Sequence, residues 1–110
     1  MSGYPAEVTF AEIRLFLTRL VELASSGRQS FLDSWRDQEA AQMLITKLAE
    51  AVGRLPPAAL ASRPEVPWQQ IRGMRNRLVH AYHAVDLEVL WETVATDAAQ
   101  LVAALDRPSL

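Results

Sequence analysis

Apolar residues recur along this 110-residue chain at the three-and-four spacing of amphipathic helices, and no stretch shows the two-residue alternation of a strand. In "TFAEIRLFLTRLVELA" the residues Phe10, Ile13, Phe16, Leu17, Leu20, Leu23 and Ala24 fall on one helical face. Thr9 with Glu12 three positions on predicts a capping box at its start, and Gly27 in "SSGR" predicts its stop. "SFLDSWRDQEAAQMLITKLAEAVGRL" predicts a short helical turn and then a long helix, with Ser30 and Ser34 as cap candidates. Its stripe is Ala41, Leu44, Ile45, Leu48, Ala51, Val52 and Leu55. "PPAALASRPEVPW" holds four of the six prolines and predicts a loop between helices of one domain. Pro67 suits the first turn of a third long helix, which continues to about residue 82. In "VDLEVLWETVATDAAQLVAAL", Asp86 is the expected N-cap, and Leu87, Leu90, Trp91, Val94, Ala98, Leu101, Val102 and Leu105 form the expected buried face. The pattern predicts a single all-α domain over residues 1–110, a small bundle of four to five helices.

Composition narrows the class. Half of the residues are hydrophobic and 22% are charged, which suits a compact fold and excludes a disordered or fibrous chain. Cysteine is absent, so neither a disulfide framework nor a thiolate metal site is available. "MSGYPAEVTF" lacks the basic start and apolar run of a signal peptide, and no apolar run approaches a membrane span; the expectation is a soluble, cytoplasmic protein with no membrane partner.

The net charge of -2 conceals an asymmetry. "IRGMRNRLVHAYH", residues 71–83, carries Arg72, Arg75 and Arg77 and no acid, so this window is +3 and the remainder is -5. A charge focused in this way suits one phosphate or a short strand better than a long phosphate track. Both histidines of the chain, His80 and His83, lie here as well.

On an ideal helix, at about 100° per residue, Ile71, Met74, Leu78 and Tyr82 share one face, and Gly73, Asn76 and His80 share the opposite one. Asn76 and His80 are four apart and can touch, whereas Arg75 points roughly 140° away from His80. Arg75 and His80 converge only if the helix ends near His80 or if a second copy of the chain faces the first. An imidazole that exchanges protons near neutral pH, a guanidinium that grips phosphate and an orienting amide are the components of a metal-independent ribonuclease. No metal is expected, because His80 and His83 have no carboxylate within the cluster to complete a ligand set. A solvated polar helix face, with Tyr82, Trp68 and Trp91 as ordinary core or interface aromatics, is the competing reading of the same residues.

"RNRLVHAYH" also contains R-x4-H-x-Y as Arg75, His80 and Tyr82. Together with "PEVPWQQIRGMRNRLVH", "VDLEVLWETV" and "LAEAVGRL", it resembles the HepT-like family of HEPN domains over about two thirds of the chain. Met43, Lys47 and Ala49 depart from the family pattern. The resemblance implies a HEPN-type bundle that forms a homodimer with the motif helices facing a shared cleft. It further implies an endoribonuclease toxin acting on RNA without a cofactor, with Arg75 and His80 as the catalytic pair and Asn76 in support. Arg72 and Arg77 are candidate phosphate contacts. The implied partner is an MntA-like nucleotidyltransferase antitoxin that transfers AMP from ATP to Tyr82 and so silences the toxin. The alternative is a non-catalytic helical dimer that binds nucleotide or that transferase.

Overall fold

The computed structural model describes residues 5–78 and 85–107. Among them lie helices α1 (Ala6–Ala24), α2 (Arg28–Leu32), α3 (Trp35–Gly53), α4 (Pro57–Ala61), α5 (Trp68–Leu78), α6 (Leu87–Glu92) and α7 (Ala98–Leu105). A π-helical turn, Thr93–Asp97, joins α6 to α7 without a break, and no strand occurs among the described residues. The all-α expectation holds: four long helical runs and two helices of five residues make the bundle.

The helix ends show what the pattern captured. Ser34 caps α3, its Oγ accepting from the Asp37 N–H at 3.1 Å. Asp86 caps α6, its Oδ1 accepting from the N–H groups of Glu88 at 3.0 Å and Val89 at 3.2 Å. Gly27 adopts φ of 98°, a left-handed value that a residue with a Cβ rarely takes, and this turn separates α1 from α2. Gln38 bridges the next junction, its Nε2 donating to the carbonyls of Phe31 and Leu32 at the end of α2.

Several boundaries differ from expectation. α1 starts at Ala6, and the Pro5 carbonyl accepts from Val8 and Thr9, so Thr9 is a buried residue inside the helix and not its cap. Proline favours this start because its fixed φ is compatible with entry into the helix and its missing N–H is not needed there. Ser30 lies within α2 and caps nothing. The proline-rich stretch contains α4, which Pro57 opens for the same reason. Leu87 is 38% exposed rather than buried. It is the first residue of α6, and the π turn that follows closes i→i+5 and adds a residue, so α6 and α7 do not share one continuous stripe.

The core collects Ile13, Leu17 and Leu20 of α1, Ala41, Ile45, Leu48, Ala51 and Val52 of α3, Ile71 and Met74 of α5, and Leu90, Val94, Ala98, Leu101 and Leu105 of the last run. Phe31 of α2 is completely buried against Trp91. Each of the larger aliphatic and aromatic side chains among them contributes about 1.5–3 kcal/mol when fully withdrawn from water, so the bundle rests on these contacts more than on its surface pairs. α1 and α3 pack side by side, α7 lies against α1, and α5 lies against α3. Met43 and Lys47 are exposed and Ala49 is half-buried, so the departures from the family pattern leave the fully buried core intact. No helix among the described residues is long and apolar enough to cross a membrane.

Candidate functional site

α5 carries the described part of the cluster. Its entry is set by Val66, whose carbonyl accepts from the Trp68 N–H at 2.9 Å, and by Pro67, whose carbonyl accepts from Ile71 at 3.1 Å. Pro67 therefore stands immediately before the helix, as its preference for helix starts predicts. Ile71 and Met74 turn into the core, while Gln69, Gln70, Arg72, Arg75, Asn76 and Arg77 are all exposed. The two-sided helix read from the sequence is present as far as the described residues reach. The side chain of Leu78, together with His80, Tyr82 and His83, lies outside the described residues, as does the meeting of Arg75 with His80.

Two sets of arginines contrast, apart from Arg19, Arg36 and Arg107, which also form no ion pair among the described residues. Arg14 Nε and Nη2 grip the two carboxylate oxygens of Asp106 at 2.8 and 2.9 Å. Arg54 pairs with Glu12 at 2.7 Å, Arg28 pairs with Glu88, and Arg63 Nη1 donates to the Leu105 carbonyl at 2.7 Å. Each of these ties parts of the fold together. Arg72, Arg75 and Arg77 form no ion pair among the described residues, and α5 itself contains no carboxylate. Three guanidinium groups within six residues span about 7.5 Å of helix axis, a length that suits one or two phosphates.

Gly73 is half-exposed, and a Cβ added to it would meet nothing within 4 Å. Space beside this residue is open, as a close approach by another molecule requires. Gln69 and Gln70 extend the polar arc toward the start of the helix and were not singled out in the sequence. Their signal was available, since Gln69, Arg72 and Asn76 recur at helical spacing, but glutamine on a helix surface is too common to stand out.

No cluster of three or more metal-ligating side chains occurs among the described residues. The larger described groove, about 450 Å³, lies between α1 and α3 and is lined by Leu23, Ala40, Met43 and Leu44 with Arg19 and Glu22, so it is separate from the α5 face.

The described residues form an all-α bundle with a helix of exposed cationic side chains. The model of the family described as "Ribonuclease HepT-like" matches residues 13–107, and the chain belongs to that family. It is similar to "Probable ribonuclease HepT" of Thermococcus cleftensis, with 36% identity over 73 residues covering 66% of each chain. It is also similar to "Putative RNase TTE0752" of Caldanaerobacter subterraneus subsp. tengcongensis, with 33% identity over 75 residues, 66% of this chain and 67% of that one. The matches thus span about two thirds of the length of these relatives. No solved structure matches the chain at a significant level.

Proposed function

We propose that this chain is a metal-independent endoribonuclease, the toxin of a toxin–antitoxin module, with Arg75 and His80 as its catalytic pair. The observation that carries this reading is the exposed set Arg72, Arg75, Asn76 and Arg77 on α5, whose arginines form no ion pair among the described residues, directly preceding His80 in a chain of a ribonuclease family. In the reaction, the His80 imidazole removes the proton from a ribose 2′-hydroxyl, and that oxygen bonds to the adjacent phosphorus. The P–O5′ bond breaks and the leaving oxygen takes up a proton, which yields a 2′,3′-cyclic phosphate and a 5′-hydroxyl. Arg75 stabilises the negative charge of the crowded phosphorane, and Arg72 and Arg77 hold the neighbouring phosphates. Asn76 orients His80.

Arg75 and His80 point apart on one straight helix, so the reading includes a homodimer in which two motif helices face each other across a cleft. Open space at Gly73 supports it, because a two-fold contact through this face needs a small residue at its centre. Tyr82 is the acceptor through which a nucleotidyltransferase partner silences the toxin: its phenol oxygen attacks the α-phosphorus of ATP, pyrophosphate leaves, and AMP remains as a phosphodiester. The added negative charge occupies the place of an RNA phosphate.

Purified protein in EDTA should cleave RNA and leave 2′,3′-cyclic phosphate ends, and His80→Ala or Arg75→Ala should abolish this. Equal cleavage by the variants would reject the assignment. Intact mass after incubation with the partner, ATP and magnesium should show added AMP on the wild type and none on Tyr82→Phe. Light scattering should report a dimer that Gly73→Leu weakens.

A further inference from the structure

Few of the described side chains of α5 are buried, and their arrangement has a consequence for Arg75. Among the described side chains Ile71 and Met74 are fully buried, three residues apart on the side that faces α3. Two contacts about 60° apart around the axis still allow a helix to roll. Trp68, three residues before Ile71, carries the contact about 60° further around the axis and meets a different helix, α1. Its ring stacks on Phe10 of α1, with centroids 6.1 Å apart and planes inclined by 29°, and its Nε1 donates to the Leu60 carbonyl in α4 at 3.1 Å. The Arg63 guanidinium lies 4.6 Å from the centre of the Phe10 ring, and the same group holds the Leu105 carbonyl at the end of α7. The stack Arg63, Phe10 and Trp68 thus ties the start of α5 to α1, α4 and α7 together.

Trp68 and Arg75 are seven residues apart, two helical turns, so they lie within roughly 20° of each other around the axis. The flank pinned by Trp68 is the flank from which Arg75 projects. The geometry points to Trp68 as a positioning residue for Arg75: it stops α5 from rolling and so sets where the Arg75 guanidinium meets a scissile phosphate. This rests on the nuclease reading for its functional consequence, but the restraint on α5 is a property of the fold. Misplacement of a reacting group by about 1 Å can cost on the order of 100-fold in rate, so even a small roll of the helix is sufficient.

A matched pair of variants tests this. Trp68→Leu removes the stack on Phe10 and the bond to Leu60. Trp91→Leu removes the other aromatic pair, with Phe31, at a comparable place in the core. Both should lower the melting temperature by similar amounts. Only Trp68→Leu should lose kcat for RNA cleavage, by about tenfold or more, with a smaller change in KM, and Trp68→Phe should recover most of the loss because its ring still meets Phe10. Equal kcat losses in Trp68→Leu and Trp91→Leu, or an unchanged kcat in Trp68→Leu, would overturn the inference. Should Trp68→Leu not fold, Phe10→Leu reads the same stack from α1 with the same expected kcat loss. If the wild type cleaves no RNA, the nuclease reading fails, and amide hydrogen exchange decides the restraint separately. Faster exchange from Gln69 to Arg77 in Trp68→Leu but not in Trp91→Leu sustains it, and equal exchange in the two defeats it.

Discussion

α3 and α5 lie side by side and are built to opposite specifications. α3 has nineteen residues, buries Ala41, Ile45, Leu48, Ala51 and Val52, and is capped by Ser34. α5 has eleven described residues, buries Ile71 and Met74, and turns six polar or cationic side chains to solvent. The fold needs α3 for its core and draws little from the outer face of α5. A helix whose exposed face is not needed for stability is free to carry chemistry, and charges there that the fold does not pair among the described residues remain available to a ligand. The arginines repeat the lesson: those at 14, 28, 54 and 63 join distant elements, whereas those at 72, 75 and 77 join nothing among the described residues.

The contrast is sharpest under substitution. Ile45→Ala in α3 should cost about 2–5 kcal/mol, because it leaves a cavity among packed side chains. In a domain of this size, that lowers the melting temperature by about 10 °C or more. The double change Arg72→Ala, Arg77→Ala in α5 should alter stability by less than about 0.5 kcal/mol. It should nevertheless weaken binding to single-stranded RNA and flatten the slope of log affinity against log salt by about 1.4, at about 0.7 per lost phosphate contact. Calorimetry beside a salt titration checks both halves, and a large stability loss from the arginine pair would break the comparison.

A smaller effect is expected at the cap. Ser34→Ala removes the acceptor for the Asp37 N–H and should destabilise the protein by about 1 kcal/mol, seen as a fall of about 5 °C in melting temperature. Ser34→Asp, which restores an acceptor, should recover it.

The smallest effect belongs to the Arg14–Asp106 pair, which lies on the exposed surface. The hydrogen bond from Arg14 holds the Asp106 carboxyl below its ordinary value of 3.8. A carboxylate whose folded pKa is depressed adds stability above its unfolded pKa, and that stability disappears as the pH falls through the folded value. Solvent screening keeps the contribution small. The melting temperature of the wild type should therefore exceed that of Asp106→Asn slightly at neutral pH, and the gap should close as acid protonates Asp106. A gap that widens in acid would refute the linkage.

Much of this was legible in the sequence, for identifiable reasons. The stripes of α1 and α3 repeat often enough to override the noise of single positions, and Ser34, Asp86 and Gly27 act through local geometry that a few residues determine. Thr9 misled because a capping box competes with a proline four residues earlier, and the outcome depends on how far the bundle extends the helix. α4 was hidden because prolines that end one helix also begin another. The exposure of Leu87 depends on the π turn, which shifts the phase of one helix by a residue and leaves no mark in the hydrophobic period. At the site, the opposition of buried Ile71 and Met74 to exposed Asn76 followed from helical spacing.

The sequence by itself determined the helical class, the core-facing side of each long helix and the concentration of positive charge in one window, because periodicity and charge are properties of neighbouring residues along the chain. Only the tertiary structure decided which arginines are bound to carboxylates and which are not, and that Phe10 and Arg63 stack in line with Trp68. Those contacts join residues 42 to 92 positions apart, or 58 positions in the case of the two rings. Such partners are brought together by the packing of the whole bundle and by nothing within a helical turn.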